Sequence, residues 1–144
     1  MNFARIALAA VVATVVDAVF GFVVYGNLLA DEFARHPGVY RPLDSQLAYM
    51  PFLFGGIFIA MVGAAAIYAR GYEGGSGLQE GFRYGLIVAL VPMGYAAIVG
   101  YSLTNIGRHL ALSMVAASYV EWVLAGVVIG LIYKPAASAA RRAG

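Results

Sequence analysis

Four apolar runs alternate with short polar breaks along this chain, and each run is about the length that crosses a bilayer as a helix. The first, residues 4–29, stays apolar past Asp17 through FGFVVYGNLL. That is well beyond the apolar stretch of about 7–15 residues in a cleaved secretory signal, so it reads as an uncleaved first span. The second covers residues 47–69 with Pro51 near its first turn, where a missing N–H costs nothing. The third covers 82–106, and the fourth, 110–133, reads LALSMVAASYVEWVLAGVVIGLIY. The pattern predicts an all-α, polytopic integral membrane protein: one four-transmembrane-helix bundle filling residues 1–144.

The breaks predict how the helices are joined. Residues 30–46 hold two prolines and several charged or histidine side chains, and this external loop is the longest connection. GYEGGSGLQ, residues 71–79, carries four glycines and predicts a tight hairpin. It is no phosphate loop, because it lacks the Lys-Ser/Thr ending and a preceding strand. Gly107-Arg108-His109 is so short that spans three and four must be antiparallel neighbours. Lys134-Pro135 ends the fourth helix, and residues 134–144 form a basic tail.

Small residues at helical spacing predict the packing faces, since they let backbones approach closely in a membrane. They are Gly21 in the first span, Gly56 and Gly63 in the second, Gly81 and Gly85 in the third, and Gly126 and Gly130 in the fourth. Pro92 lies inside the third span, removes one backbone hydrogen bond and predicts a kink, serving either as a hinge or as a packing feature.

Composition and charge sharpen the class. The chain is 62% hydrophobic and 11% charged, less than half the usual charged share of a soluble domain, with mean hydropathy +0.83. It has no cysteine, which removes disulfides, thiolate metal sites and thiol redox chemistry. The net charge of +2 comes from basic residues scattered at span ends, a pattern of membrane orientation rather than nucleic-acid binding. Arg5, Arg70, Arg83, Lys134, Arg141 and Arg142 share one side, and Arg35, Arg41 and Arg108 the other. The positive-inside rule then places both termini in the cytoplasm. His36, Asp31, Glu32 and Asp44 match no closed metal-ligand set, and paired membrane histidines for haem are missing, so no metal or cofactor is expected.

Two acids stand at membrane depth. Asp17 and Glu121 each lie about 18–20 Å from the cytoplasmic ends of their helices at about 1.5 Å per residue. A charge there costs roughly 2.5 kcal/mol or more unless neutralised, paired or wetted. No Lys, Arg or His shares that level, so protons or a bound cation are the expected counterweight. Tyr95, Tyr119, Ser118 and Thr14 are the polar groups expected to share the ligand- or proton-binding site with the two acids. The alternative is that the same groups merely hydrogen-bond one helix to another.

A first helix ending in Tyr25-Gly26-Asn27, a Pro-containing outer loop and a third helix opening Gly81-Phe82-Arg83-Tyr84-Gly85 form a layout. It resembles small four-helix bacterial membrane proteins of the uncharacterised domain-of-unknown-function 1761 type. The resemblance implies a multi-pass protein of the bacterial inner membrane and carries no activity. Three classes of function stay open. The first is a small oligomeric transporter or ligand-binding protein with a protonatable carboxylate site at the bilayer midplane. The second is an accessory or scaffold subunit of a larger membrane complex. The third, an intramembrane enzyme using the acids as general acid and base, has the least support, for no nucleophile–base set is present. The expected partners are membrane lipids and either further copies of the chain or the subunits of a complex, with no nucleic acid.

Overall fold

The structure is a computed structural model that describes residues 1–133; the basic tail, with Lys134, Arg141 and Arg142, lies outside the described residues. Among the described residues the chain is all-helical apart from its connections, without a strand. Four long helices, each carrying one apolar run, are long and apolar enough to cross a membrane: α1 (Phe3–Leu28), α3 (Asp44–Gly71), α4 (Gly77–Leu103) and α5 (Arg108–Tyr133). A short helix, α2 (Ala30–Ala34), follows α1 directly.

Local chemistry sets the helix ends and irregularities. Asn2 opens α1 as its N-cap, its side-chain oxygen accepting the Arg5 N–H at 3.1 Å. The last turn of α1, Val24–Leu28, widens to a π-turn, in which Leu29 N–H reaches back to the Val24 carbonyl at 2.8 Å. The Asn27 side-chain amide fills the gap this leaves by donating to the Phe22 carbonyl at 2.6 Å. In α4 the regular helix stops at Val88, resumes at Leu90–Pro92 and widens to a second π-turn over Met93–Val99. Pro92 has no N–H to give the turn before it, so the interruption falls where its chemistry requires.

The long helices pack side by side in the order α3, α1, α5, α4. The main core joins the first three at the end that carries the chain termini. Ile6, Ala9, Ala10 and Ala13 of α1 meet Met61, Ala64, Ala65 and Tyr68 of α3 and Ala125, Ile129 and Tyr133 of α5. Alanine on both sides keeps the backbones close, while Met61 and Ile129 fill what remains. Tyr68 Oη is buried there without a hydrogen-bond partner among the described residues, its ring edge-on to Tyr84 and Tyr133.

α4 docks on α5 almost backbone to backbone. A methyl group at Gly81 would stand 2.6 Å from the Gly126 carbonyl oxygen, and one at Gly85 2.7 Å from that of Val123. One at Gly126 would stand 2.5 Å from the Gly85 α-carbon, and Gly130 is closed off by Gly77 and Gly81 in the same way. The short connection, residues 104–107 rather than the expected 107–109, makes these two helices antiparallel neighbours, as its length requires. Consecutive α3 and α4 meet far less, chiefly where Tyr84 Oη donates to the Ala64 carbonyl at 2.7 Å.

The glycines of α3 depart from the sequence expectation. Gly56 and Gly63 are exposed with open space where a side chain would stand, and they join no helix contact within the chain. The helix turns its alanine face, Ala64 and Ala65, to α1 instead, because that face also carries Met61 and Tyr68, which a close-packed core buries to most effect. Gly21 gives no close approach either: a methyl there would make ordinary contact, 3.7 Å, with the Tyr25 ring.

At the opposite end, α2 and the loop after it fold over the bundle. Phe33 and Tyr40 pack on Ile106, Leu110 and Ala111, with Met114 beside them, as a second, smaller core.

Candidate functional site

The two acids lie on neighbouring helices, Asp17 on α1 and Glu121 on α5. Among the described residues Asp17 is the one charged side chain that is buried, 8% exposed, on α1. Glu121, half-buried at mid-length of α5, lies close enough for the Asp17 charge to act on it. Its carboxylate accepts the Tyr25 hydroxyl at 3.0 Å, and Tyr25 too lies within the reach of the Asp17 charge. Among the described residues, Asp17 receives no hydrogen bond from any side chain.

Tyr25, expected from the sequence only as the end of the first helix, is the side chain that bonds Glu121. Its hydroxyl reaches Glu121 from the π-turn at the end of α1, since an α-helical side chain leans toward its own N-terminus and so down into the bundle. The signal was present in the spacing: Asp17, Gly21 and Tyr25 succeed one another at four-residue intervals.

None of the other expected site residues hydrogen-bonds either acid. Thr14 donates to the Ala10 carbonyl at 2.8 Å and Ser118 to the Val115 carbonyl at 3.2 Å, each satisfied by its own helix. Thr14 also edges a shallow apolar groove of about 500 Å³ with Val19, Phe22 and Phe54. Tyr119 donates to the Leu86 carbonyl of α4 at 3.4 Å, near the break that precedes Pro92. Tyr95 is 78% exposed and stands outside the bundle, because the π-turn after Pro92 carries it around the helix. The expectation that its hydroxyl finds a partner inside is therefore corrected.

What encloses the site differs at its two ends. Toward the termini lies the alanine-rich core, whose polar side-chain groups include the hydroxyls of Tyr68 and Tyr133. Toward the other end lies the α2 cap, reached through a chain of aromatic rings. Tyr25 stands edge-on to Phe33 with centroids 6.3 Å apart, and Phe33 edge-on to Tyr40 at 4.6 Å. Tyr40 donates to the Met114 sulfur at 3.4 Å, and burial raises its phenol above the ordinary range, so it stays a donor at any physiological pH.

The cap is fastened by His36. Its Nδ1 lies 2.8 Å from the Glu32 carbonyl oxygen, and its Nε2 accepts the Gly107 N–H at 3.2 Å. This pairing requires the neutral tautomer with the proton on Nδ1. Around it, the Glu32 carboxylate pairs with Arg35 at 2.6 Å and lies 3.7 Å from His109 Nδ1. Among the described residues no three His, Asp or Glu side chains converge as a metal site. No family model, curated protein or solved structure matches this chain.

Proposed function

We propose that this chain is a multi-pass membrane protein that binds a proton or small cation between α1 and α5, as a ligand-binding or transport protein. The observation that carries the reading is Asp17: a nearly buried carboxyl without a side-chain hydrogen-bond partner among the described residues, on the helix beside the one that carries Glu121, in a chain with no basic side chain at that depth. Buried acids kept without such a partner cost stability and mark ion or proton sites within membranes. Tyr25 supplies an orienting hydroxyl for Glu121. In this reading both termini face the cytoplasm, where most basic residues fall, and the α2 cap faces outward.

The open glycine face of α3, Gly56 and Gly63, favours a second reading beside the first. An oligomer of this chain or a larger complex would place another helix there, and the protein would then be an accessory subunit.

Difference infrared spectroscopy across pH, with and without Na⁺ as the probe, tests the site. The carboxyl bands assigned through Asp17→Asn and Glu121→Gln are expected to respond together, and each single variant is expected to displace the response of the acid that remains. Glu121→Gln keeps shape and hydrogen bonding, so folding is expected to survive while the response is lost. Two bands that titrate independently, as ordinary solvated acids do near about pH 4, would refute the proposal.

A further inference from the structure

We infer that the α2 cap is a lid over the α1–α5 carboxyl site, latched by the neutral His36 ring between Glu32 and Gly107 and released by acid. The inference rests on the carboxyl-site reading above and adds its regulation.

Position comes first. The acids lie at the edge of the alanine-rich core, so a path toward the termini runs through tightly packed Ala9, Ala13, Ala125 and Ile129. Toward the other end, the nearest cover is Tyr25, then Phe33, then Tyr40. Lifting the cap withdraws Phe33 from the Tyr25 ring and exposes the side from which Glu121 is held. The cap therefore covers the side from which Tyr25 holds Glu121.

The fastening comes second. One side-chain contact ties the segment that follows α2 to the backbone between α4 and α5, and it is the Gly107 N–H accepted by His36 Nε2. The Phe33 and Tyr40 rings add apolar contact, and Tyr40 adds a bond to sulfur, but neither changes with acidity in the range where histidine does. Protonation puts a hydrogen on Nε2, and that nitrogen ceases to accept. Gly107 N–H then faces another N–H, while the Nδ1 bond to the Glu32 carbonyl persists.

The sign follows from linkage. The closed lid needs the proton off Nε2, so acid, which supplies that proton, disfavours the closed form. The surrounding charges are Glu32 and Arg35 on the cap side, and Arg108 and His109 beside Gly107. Glu32 is already held by Arg35, so it gives the protonated ring no substitute for Gly107. His109 gains attraction for Glu32 when protonated, but at 76% side-chain exposure that gain is small and restores no acceptor.

A chain without cysteine allows a clean test. Ala111, 6% exposed beneath the cap, is replaced by cysteine and labelled with a membrane-impermeant maleimide at pH 7.5 and 5.5. Its rate is divided by that of a cysteine at exposed Ser102, which removes the pH dependence of the thiol itself. The ratio is expected to rise about five-fold at pH 5.5, the worth of one hydrogen bond. His36→Gln, whose amide oxygen still accepts, is expected to stay low at both pH values, and His36→Ala to be high at both.

Amide hydrogen exchange of residues 104–116 in the unaltered chain reads the same opening without the Ala111 substitution. A ratio and an exchange rate that do not change with pH, or a rise that His36→Gln leaves intact, would overturn the latch. Asp17→Asn and Glu121→Gln are expected to leave the labelling unchanged, so a failed latch and a failed carboxyl site are distinguished. Deuterium uptake by the Glu121 carboxyl band, expected to quicken in His36→Ala, ties the lid to the site, and an unchanged rate would sever them.

Discussion

At the scale of the residue, Tyr25 decides whether Glu121 is oriented or merely buried. Its hydroxyl is the one side-chain donor on Glu121 among the described residues. Tyr25→Phe keeps the ring against Phe20 and Phe33 and removes that donor alone. We expect it to cost about 1.5–3 kcal/mol where the bond is to a charged carboxylate and nearer 1 where it is to a neutral one. Thermal denaturation in detergent, beside the infrared band of Glu121, reads which form is present, and unchanged stability with an unmoved band would show that the bond matters little. Asp17 and Glu121 were legible from the sequence because an acid inside an apolar run stands out by chemistry alone. Tyr25 was legible only as a member of the Asp17 face; that its hydroxyl reaches Glu121 depends on a π-turn that no apolar periodicity announces. His36 was hidden for a different reason: its partner is a backbone N–H seventy-one positions away, which leaves no mark in local pattern.

At the scale of the element, two glycine-bearing helices were expected to behave alike and do not. Gly81 and Gly85 press on α5 backbone, while Gly56 and Gly63 look out from α3. Gly85→Leu is therefore expected to destabilise by about 3 kcal/mol or more, since the atoms in its way are main chain and cannot turn aside. Gly63→Leu is expected to leave the melting temperature of the dispersed single chain unchanged within a degree or two. Melting both variants in the same detergent checks the contrast, and equal losses would mean that α3 is rotated from the orientation described. The residue stripe alone shows that a face is small, but not which of two small faces a neighbour takes. On α3 the choice fell to the side where Met61 and Tyr68 can also be buried. On α4 and α5 the four-residue connection left no such freedom, which is why that interface was readable in advance.

At the scale of the whole molecule, the helices form two hairpins, α1 with α3 and α4 with α5, joined mainly where α1 meets α5. The four runs and their order were plain from hydropathy; the side-by-side order was not, since consecutive α3 and α4 hardly meet. The link between the hairpins is the exposed loop at Gly74, a glycine with φ of +93° that side chains rarely tolerate. Each hairpin brings one acid to the seam, Asp17 from the first and Glu121 from the second. The carboxyl pair thus exists only where two halves have found one another. Cut at Gly74 and produced as two co-expressed fragments, the chain is expected to reassemble by complementation, with the coupled response of the acids returning only in the mixed pair. Either fragment by itself would carry a single acid with nothing opposite it, so the site doubles as a proof of correct pairing, a checkpoint written into the seam.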